Sequence, residues 1–345
     1  MILHVASLDK FIPPFIDFLA KNFDSSQHRF WLNGDRNRYP YQDNTSTYQV
    51  KPGFLGEATA YLRLAMELNR AEKVILHGLF DPKIIIILSS MPWLLRNCYW
   101  IIWGGDLYVR NLEKKNWKWH LGELFRSFVI KRIGHLVTYI EGDVDLARKW
   151  YGATGKHHEC LMYTSNLYSD PNAISSHKKT INIQVGNSAD PSNNHIEALK
   201  KLLPYKDSDI KIHVPLSYGD QAYASTVIRQ GSEWFGEKLK PLTDFMPLEE
   251  YLELLGDIDI AMFNHRRQQA MGNTITLLGL GKKVFLRSDV TPWKMFKKNK
   301  ITVYDIEDFD ISPMDTEISK KNQEFIREHF SREKLALQLK EVFES

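Results

Sequence analysis

Apolar and polar residues follow two rhythms along this chain. Short apolar or alternating runs at 2–6, 29–32, 47–50, 73–77, 98–103, 135–140 and 159–162 have the period of β-strands. Between them, apolar positions recur at helical spacing near 11–21, 57–70, 81–95, 114–132 and 142–151. Strand and helix in alternation predict an α/β fold on a mostly parallel sheet. From 166 to 179 the pattern dissolves into Ser, Asp, Pro, Asn and Lys, which reads as a linker. The rhythm then restarts, with strands beginning near Ile181, Ile210, Lys238, Ile258, Lys283 and Ile301, the cadence of a second doubly wound unit. Pro247 marks a helix start, and Leu248, Tyr251, Leu252, Leu254 and Leu255 continue it. Residues 319–343 predict one or two amphipathic helices with Phe325, Phe330, Leu335, Leu339, Val342 and Phe343 on the apolar side. The expected organisation is a first Rossmann-like domain over 1–165, a linker over 166–179, a second over 180–318 and C-terminal helices over 319–345. Two such domains are expected to face each other across a cleft.

Composition narrows the class. A chain of 345 residues exceeds one ordinary core, and 43% hydrophobic with 25% charged residues is the make-up of a soluble globular protein. A net charge of +3 is too mild to point to nucleic acid as a partner, so any basic surface must be local. The start, Met1-Ile-Leu-His-Val-Ala6, lacks a basic flank and is cut short by Asp9 and Lys10, so it reads as a strand and not as a signal peptide. The most apolar stretch, 84–95, contains Pro92 and meets Arg96 after about a dozen residues, short of the roughly 20 that a spanning helix requires. Contact with a bilayer is therefore expected to be peripheral. Cys98 and Cys160 lie in apolar runs without partners at metal spacing, as buried thiols of a reducing compartment do.

Several stretches carry candidate chemistry. In 180–195, Ile181, Ile183 and Val185 alternate with Asn182 and Gln184 and stop at Gly186. Asn187, Ser188, Asp190, Pro191, Ser192 and Asn193 then bend or cap the backbone before helical spacing resumes at Ile196. Strand, small-residue turn and helix start suit a diphosphate, because glycine permits close approach and the new helix offers amides and a positive dipole end. An ordinary strand-to-helix connection accounts for the same pattern. His77-Gly78-Leu79-Phe80-Asp81-Pro82 ends a strand and opens a helix; His77 is either a ligand-facing group or a hydrogen-bonded core residue. Ile101-Ile102-Trp103-Gly104-Gly105-Asp106-Leu107-Tyr108 places one carboxylate after two glycines, where Asp106 either takes a proton from an acceptor hydroxyl or caps a turn.

Residues 110–132 are the most basic segment, with Trp117, Leu121, Leu124, Phe125 and Phe128 on one helical face. That face either lies on an anionic lipid surface or packs into the core. Val214-Pro215-Leu216-Ser217-Tyr218-Gly219 is another strand end, and Phe245-Met246-Pro247 offers an aromatic for a nucleobase. In Asn264-His-Arg-Arg-Gln-Gln-Ala-Met-Gly-Asn273, Arg266 and Arg267 suit a phosphate, Gln268 and Gln269 suit sugar hydroxyls, and Gly272 with Asn273 opens a helix. Asp143/Asp145, Asp207/Asp209 and Asp257/Asp259 each spell Asp-x-Asp, a metal-holding pattern in some nucleotide-sugar enzymes. Capping and solvation explain all three, so no metal site and no cofactor are expected.

With those residues in view, the chain resembles the TDP-N-acetylfucosamine:lipid II N-acetylfucosaminyltransferases of enterobacterial common antigen synthesis. The resemblance rests on His77-Gly78-x-Phe80-x-Pro82, Ile102-Trp103-Gly104-x-Asp106-Leu107-Tyr108, Val185-Gly186-Asn187-Ser188-x-Asp190-x-Ser192-Asn193-x-His195, Val214-Pro215 and Arg267-Gln268-Gln269-x-x-Gly272, in that order over about 70–285. It implies a GT-B glycosyltransferase that moves a 4-acetamido-4,6-dideoxyhexose from a TDP-sugar donor, held by the second domain without a metal. The implied acceptor is a polyprenyl-diphosphate-linked saccharide, met by the first domain at the cytoplasmic face of the bacterial inner membrane. Gly186, Asn187, Ser188 and Ser192 are then expected to cradle the diphosphate, and Arg267, Gln268, Gln269, Gly272 and Asn273 to hold the leaving phosphate and sugar, with Tyr218 and Phe245 nearby. Asp106 is the expected base, with His77 second. A nucleotide-sugar epimerase, which needs no acceptor, and a silent glycan-assembly binding module are the alternatives.

Overall fold

The computed structural model describes residues 1–42, 46–112, 115–169 and 180–345. The chain divides into two compact units, Met1–Ser165 with Arg332–Ser345, and Asn166–Ser331. Most of the expected linker, 170–179, lies outside the described residues.

The first unit runs β1 (Ile2–Ser7), α1 (Ile12–Asn22), β2 (His28–Asn33), β3 (Ser46–Gln49), α2 (Phe54–Arg70), β4 (Lys73–His77), α3 (Pro82–Ser90), β5 (Cys98–Ile101), α4 (Gly105–Leu112), α5 (Trp117–Arg132), β6 (His135–Val137), α6 (Glu141–Tyr151) and β7 (Lys156–His158). Its strands form one parallel sheet in the order β3-β2-β1-β4-β5-β6-β7. The chain steps outward from β1 to β3 and returns to β4 beside β1. Connections therefore leave β1 and β4 in opposite directions, which opens a crevice at their carboxyl ends.

The second unit runs β8 (Ile181–Val185), α7 (His195–Leu202), β9 (Ile210–Pro215), α8 (Gln221–Phe235), β10 (Leu239–Leu242), α9 (Leu248–Asp257), β11 (Ile260–Phe263), α10 (Met271–Gly279), β12 (Lys283–Leu286), α11 (Thr291–Lys298), β13 (Tyr304–Asp305) and α12 (Thr316–His329). Its parallel order, β10-β9-β8-β11-β12-β13, puts the equivalent crevice at the ends of β8 and β11. β11 and β12 are buried along their whole length, which is why they read as continuous apolar runs.

Three expected elements differ. The apolar run 159–162 is not a strand: β7 ends at His158, and Cys160, Leu161, Met162 and Tyr163 are buried in irregular chain. Their cover includes the last helix, α13 (Arg332–Glu344), whose Gln338 accepts the Leu161 N–H at 3.0 Å. Periodicity cannot tell these two kinds of burial apart. The expected helix 81–95 is α3 followed by a 3-10 turn at Pro92–Asn97, because Pro92 has no N–H for the helical ladder. Ile301 and Val303 are buried outside any strand, and Asn322 pairs with both backbone groups of Thr302 at 2.9 Å.

The C-terminal residues are shared between the units. α12 belongs to the second and α13 to the first, where Phe343 packs its ring edge on His28 at 4.8 Å and Lys73 Nζ donates to the Phe343 carbonyl at 2.6 Å. No helix among the described residues is long and apolar enough to cross a membrane.

Candidate active site

At the carboxyl edge of the second unit, two loops interlock. Gly186 ends β8 at φ +69°, where a Cβ would meet His195 Nε2 at 2.3 Å and Asn193 Oδ1 at 2.8 Å. Only glycine fits that turn without displacing its neighbours. Asn193 Oδ1 accepts the Asn187 N–H at 2.9 Å and pairs with His265 Nε2 at 2.8 Å, fastening the β8 turn to the end of β11. Burial lowers the pKa of His265 to about 3 and of His195 to about 4, so both rings are neutral. Gln269 crosses between the loops: its Nε2 donates to Asn187 Oδ1 at 3.2 Å, and its Oε1 accepts from Ser192 Oγ at 2.7 Å. Arg267 Nη2 reaches Asp190 Oδ2 at 3.3 Å. Burial works against ionisation of Asp190, but the Ser192 hydroxyl and N–H and the Arg267 guanidinium outweigh it and hold its pKa down. Ala270, in left-handed conformation, supplies no side-chain cap to α10, so the positive end of that helix lies open beside Arg267 and Gln269. Asn273, in the first turn of α10, donates to the hydroxyl of the half-buried Tyr251 at 2.7 Å.

The corresponding edge of the first unit is aromatic. Trp103 lies 5.1 Å from Phe11, 4.8 Å from Tyr163 and 6.2 Å from Phe80, centroid to centroid. Beneath it, Tyr163 Oη accepts from Trp103 Nε1 at 3.1 Å and lies 2.6 Å from His77 Nδ1. His77 Nε2 continues to His4 Nδ1 at 3.0 Å, and His4 Nε2 to His28 Nδ1 at 2.9 Å. Burial pushes His77 down to about 3 and His28 to about 4, so the imidazoles form a neutral buried chain. Asp9, two residues beyond β1, is half-buried at this edge. Its Oδ1 accepts the Phe11 N–H at 2.8 Å, and burial raises its pKa against that bond.

The structure corrects three expectations. Asp106 does not stand in an open loop: it lies in the first turn of α4, fully buried. Its carboxylate accepts from Trp100 Nε1 at 2.7 Å and from the N–H groups of Leu79 and Trp103 at 3.0 Å each. Arg126 joins the same two segments, donating to the carbonyls of Leu79 at 2.7 Å and Asp106 at 3.2 Å. Burial raises the Asp106 pKa, those donors and Arg126 offset part of the rise, and no acceptor hydroxyl can reach it. His77 is enclosed as well, with both ring nitrogens already partnered. Third, the turn after β8 does not offer free amides throughout: Gly186, Asn187, Ala189 and Ser192 give their N–H groups to Met262, Asn193, Tyr218 and Asp190. α7 and α10 both start without a side-chain cap, but in α7 the Tyr223 hydroxyl accepts the His195 N–H at 3.1 Å.

Other predicted residues fall as follows. Asn187, Ser188, Ser192, Arg267 and Gln269 come together, and Tyr218 joins them through its hydroxyl, 3.2 Å from Asn187 Nδ2. The Gln268 carbonyl takes Arg267 Nη1 at 3.2 Å, and Gly272 is in the first turn of α10. Phe245 is 83% exposed in the turn before α9. Of the Asp-x-Asp pairs, Asp143 is buried against the Tyr108 hydroxyl and Asp259 accepts the Asn182 N–H at 2.9 Å. Sequence reasoning passed over Asp9, Tyr163, Tyr251 and His265. Asp9 was legible as an acid directly after the first strand of an α/β unit; the others depend on contacts between distant segments.

Two doubly wound parallel units, with a phosphate-compatible loop pair on the second, define a GT-B glycosyltransferase, an enzyme that uses a nucleotide-sugar donor. The fold matches solved structures over nearly their whole length. WaaG, a glycosyltransferase involved in lipopolysaccharide biosynthesis, aligns at TM-score 0.61 and 11% identity over 98% of this chain and 93% of that one. HepE from Anabaena, in complex with UDP and glucose, aligns at 0.65 and 11% over 99% of both. Sucrose-phosphate synthase from Thermosynechococcus elongatus aligns at 0.68 and 10% over 99% and 98%. At the level of sequence, the family described as 4-alpha-L-fucosyltransferase, glycosyl transferase group 56, matches residues 10–336, and the chain belongs to that family.

Proposed function

We propose that this glycosyltransferase moves a 4-acetamido-4,6-dideoxyhexose from a TDP-sugar to a polyprenyl-diphosphate-linked saccharide at the cytoplasmic face of a bacterial inner membrane. The observation that carries the donor half is the loop pair at β8 and β11: Arg267 and the open start of α10 supply positive charge, and Gln269, Asn187, Ser188 and Ser192 supply exchangeable hydrogen bonds. A family described by fucosyl transfer supports a 6-deoxy sugar. The motifs at 77–82, 102–108, 185–195 and 267–272 support the acetamido sugar and the lipid-linked acceptor.

In this reading the diphosphate lies at the start of α10, and Arg267 exchanges part of its contact with Asp190 for a phosphate oxygen. Tyr218 and Phe245 lie on the nucleoside side. The acceptor saccharide stacks on Trp103 and Phe80 at the edge of the first unit. Asp9 is the base: the acceptor oxygen attacks the anomeric carbon, the carbon–oxygen bond to the diphosphate breaks, and the hydroxyl proton passes to the Asp9 carboxylate. TDP departs with its charge met by Arg267 and the helix dipole. Asp106 and His77 act as positioning residues, holding the 79–80 turn and the Trp103–Tyr163 pair.

The test is mass spectrometry of products from a panel of TDP- and UDP-sugars with lipid-linked saccharide acceptors. The reading expects a mass gain of one acetamido-dideoxyhexose from the TDP donor. Transfer of another sugar only, or isomerisation of the donor with no acceptor present, contradicts it.

A further inference from the structure

Helix α5 is built inside out. Its apolar face, the stripe the sequence offers to a core, points outward: Trp117 is 71% exposed, Leu124 69% and Leu121 50%. The inward face carries charge. Glu123 and Arg126 are buried, with Arg110 reaching Glu123 at 3.0 Å, and the helix joins the hydrophobic core only at its far end, through Val129 and Ile130 with Phe128 packed partly buried beside them. Burying an ion pair while leaving large apolar side chains in water reverses the usual sign of both terms, and it indicates that water is not what normally faces the helix.

The neighbouring helices extend the same surface. α2 is joined to α3 through Tyr61–Asp81 and Lys83–Glu57, and to the turn after α3 by Trp93 Nε1 donating to Asn69 at 3.2 Å. Trp93 is 58% exposed, and Leu62 and Ile86 are exposed on α2 and α3. The charged residues interleaved with these are almost all basic: Arg70, Lys83, Arg96, Lys118, Lys131 and Arg132 are exposed. On the same helices and turn, Glu67 and Glu123 are buried and Glu57 is paired with Lys83. Beside Leu124 a groove of about 360 Å³ is lined by Lys115, His120 and the Arg110–Glu123 pair, so Lys115 is its unshared cation toward a phosphate headgroup.

We propose that the outer face of the α2–α3–α5 layer docks on an anionic lipid bilayer, with Trp117, Leu121 and Leu124 in the headgroup region and the lysines and arginines on lipid phosphates. Aromatic and aliphatic side chains framed by cations fit that interface, and the acids on these helices are held back from it, Glu57 by Lys83 and Glu123 by Arg110. The proposal rests on the reading of a lipid-linked acceptor only for its purpose, and its test needs no substrate.

The full chain is sedimented with vesicles of phosphatidylcholine alone and of phosphatidylcholine mixed with phosphatidylglycerol. Binding is expected to the mixed vesicles, to weaken with salt, and to be weak on phosphatidylcholine alone. Trp117→Ser/Leu121→Ser/Leu124→Ser should lower partitioning by at least about tenfold, and Lys118→Ala or Lys131→Ala by roughly fivefold each. All these positions are exposed, so melting temperatures should match the unmodified protein, and turnover of a short-chain, water-soluble acceptor should persist. Failure to bind mixed vesicles, equal binding to both vesicle types, undiminished binding by the triple variant, or a dimer that the triple variant dissociates would each overturn the proposal. Loss of transfer with vesicle binding intact would instead count against the proposed reaction.

Discussion

The two switch-point edges share one topology and carry opposite chemistry. Each sits where a central strand and its neighbour send their connections apart, β1 with β4 and β8 with β11. In the first unit the polar groups below the edge are spent on structure: Asp106 on three N–H donors, and His77 on Tyr163 and His4. What remains outermost is aromatic, with the half-buried Asp9 beside it. In the second unit the polar groups bond mainly to one another, through side chains that can change partner, as Gln269, Ser192 and Arg267 do. Topology sets where a ligand can lie, and the readiness of the polar groups to be released decides which ligand. A rigid aromatic edge suits a saccharide face; an exchangeable polar edge beside an open helix start suits a diphosphate.

The contrast breaks most sharply at Asp9. Asp9→Asn is expected to lower the transfer rate by roughly 10²–10⁴-fold with donor affinity unchanged, measured by single-turnover kinetics. Because burial raises the Asp9 pKa, the acid limb of the rate profile should lie above the ordinary carboxylate value of 3.8, and the neutral variant should melt no lower than the unmodified protein at neutral pH. Arg267→Ala should weaken donor binding by about 10- to 100-fold, the value of a charge-assisted hydrogen bond, while donor-independent binding of the acceptor stays the same.

Smaller effects separate scaffold from site. Gly186→Ala must accommodate both φ +69° and the contact with His195, and a cost of roughly 1–3 kcal/mol is expected in the denaturation of the second unit. Asp106→Asn turns an amide N–H₂ toward groups that can only donate, at a similar cost of about 1–3 kcal/mol borne by the first unit. Acid should weaken both units. His28, His77, His195 and His265 have folded pKa values of about 4, 3, 4 and 3 against an ordinary 6.5. The stability linked to their neutral state is present above 6.5 and is lost as pH falls from there through the folded values, so the melting temperature should decline over that range.

Much of the architecture was legible because parallel strands buried on both faces announce themselves: β4, β8 and β11 stand where the apolar runs end in His77, Gly186 and Asn264. The polar loops at the ends of β8 and β11 were legible as loops, since Asn, Ser, Gln and Arg follow each apolar run, but their contact with one another was not. The hidden parts were those where burial and chemistry compete. A carboxylate after two glycines looks the same whether it faces substrate or, like Asp106, satisfies backbone donors in the core. The apolar stripe of α5 looks the same whether it faces a core or solvent. Both were decided by contacts outside the element itself, Leu79 with Asp106 in one case and Arg110 with Glu123 of α5 in the other.

The proposed division of labour is tested most directly by calorimetric titration of TDP into the unmodified protein, Arg267→Ala and Asp9→Asn. It predicts a dissociation constant raised about tenfold or more in Arg267→Ala and unchanged in Asp9→Asn. Equal weakening in both, or unaltered affinity in Arg267→Ala, contradicts a diphosphate held at the β8–β11 edge.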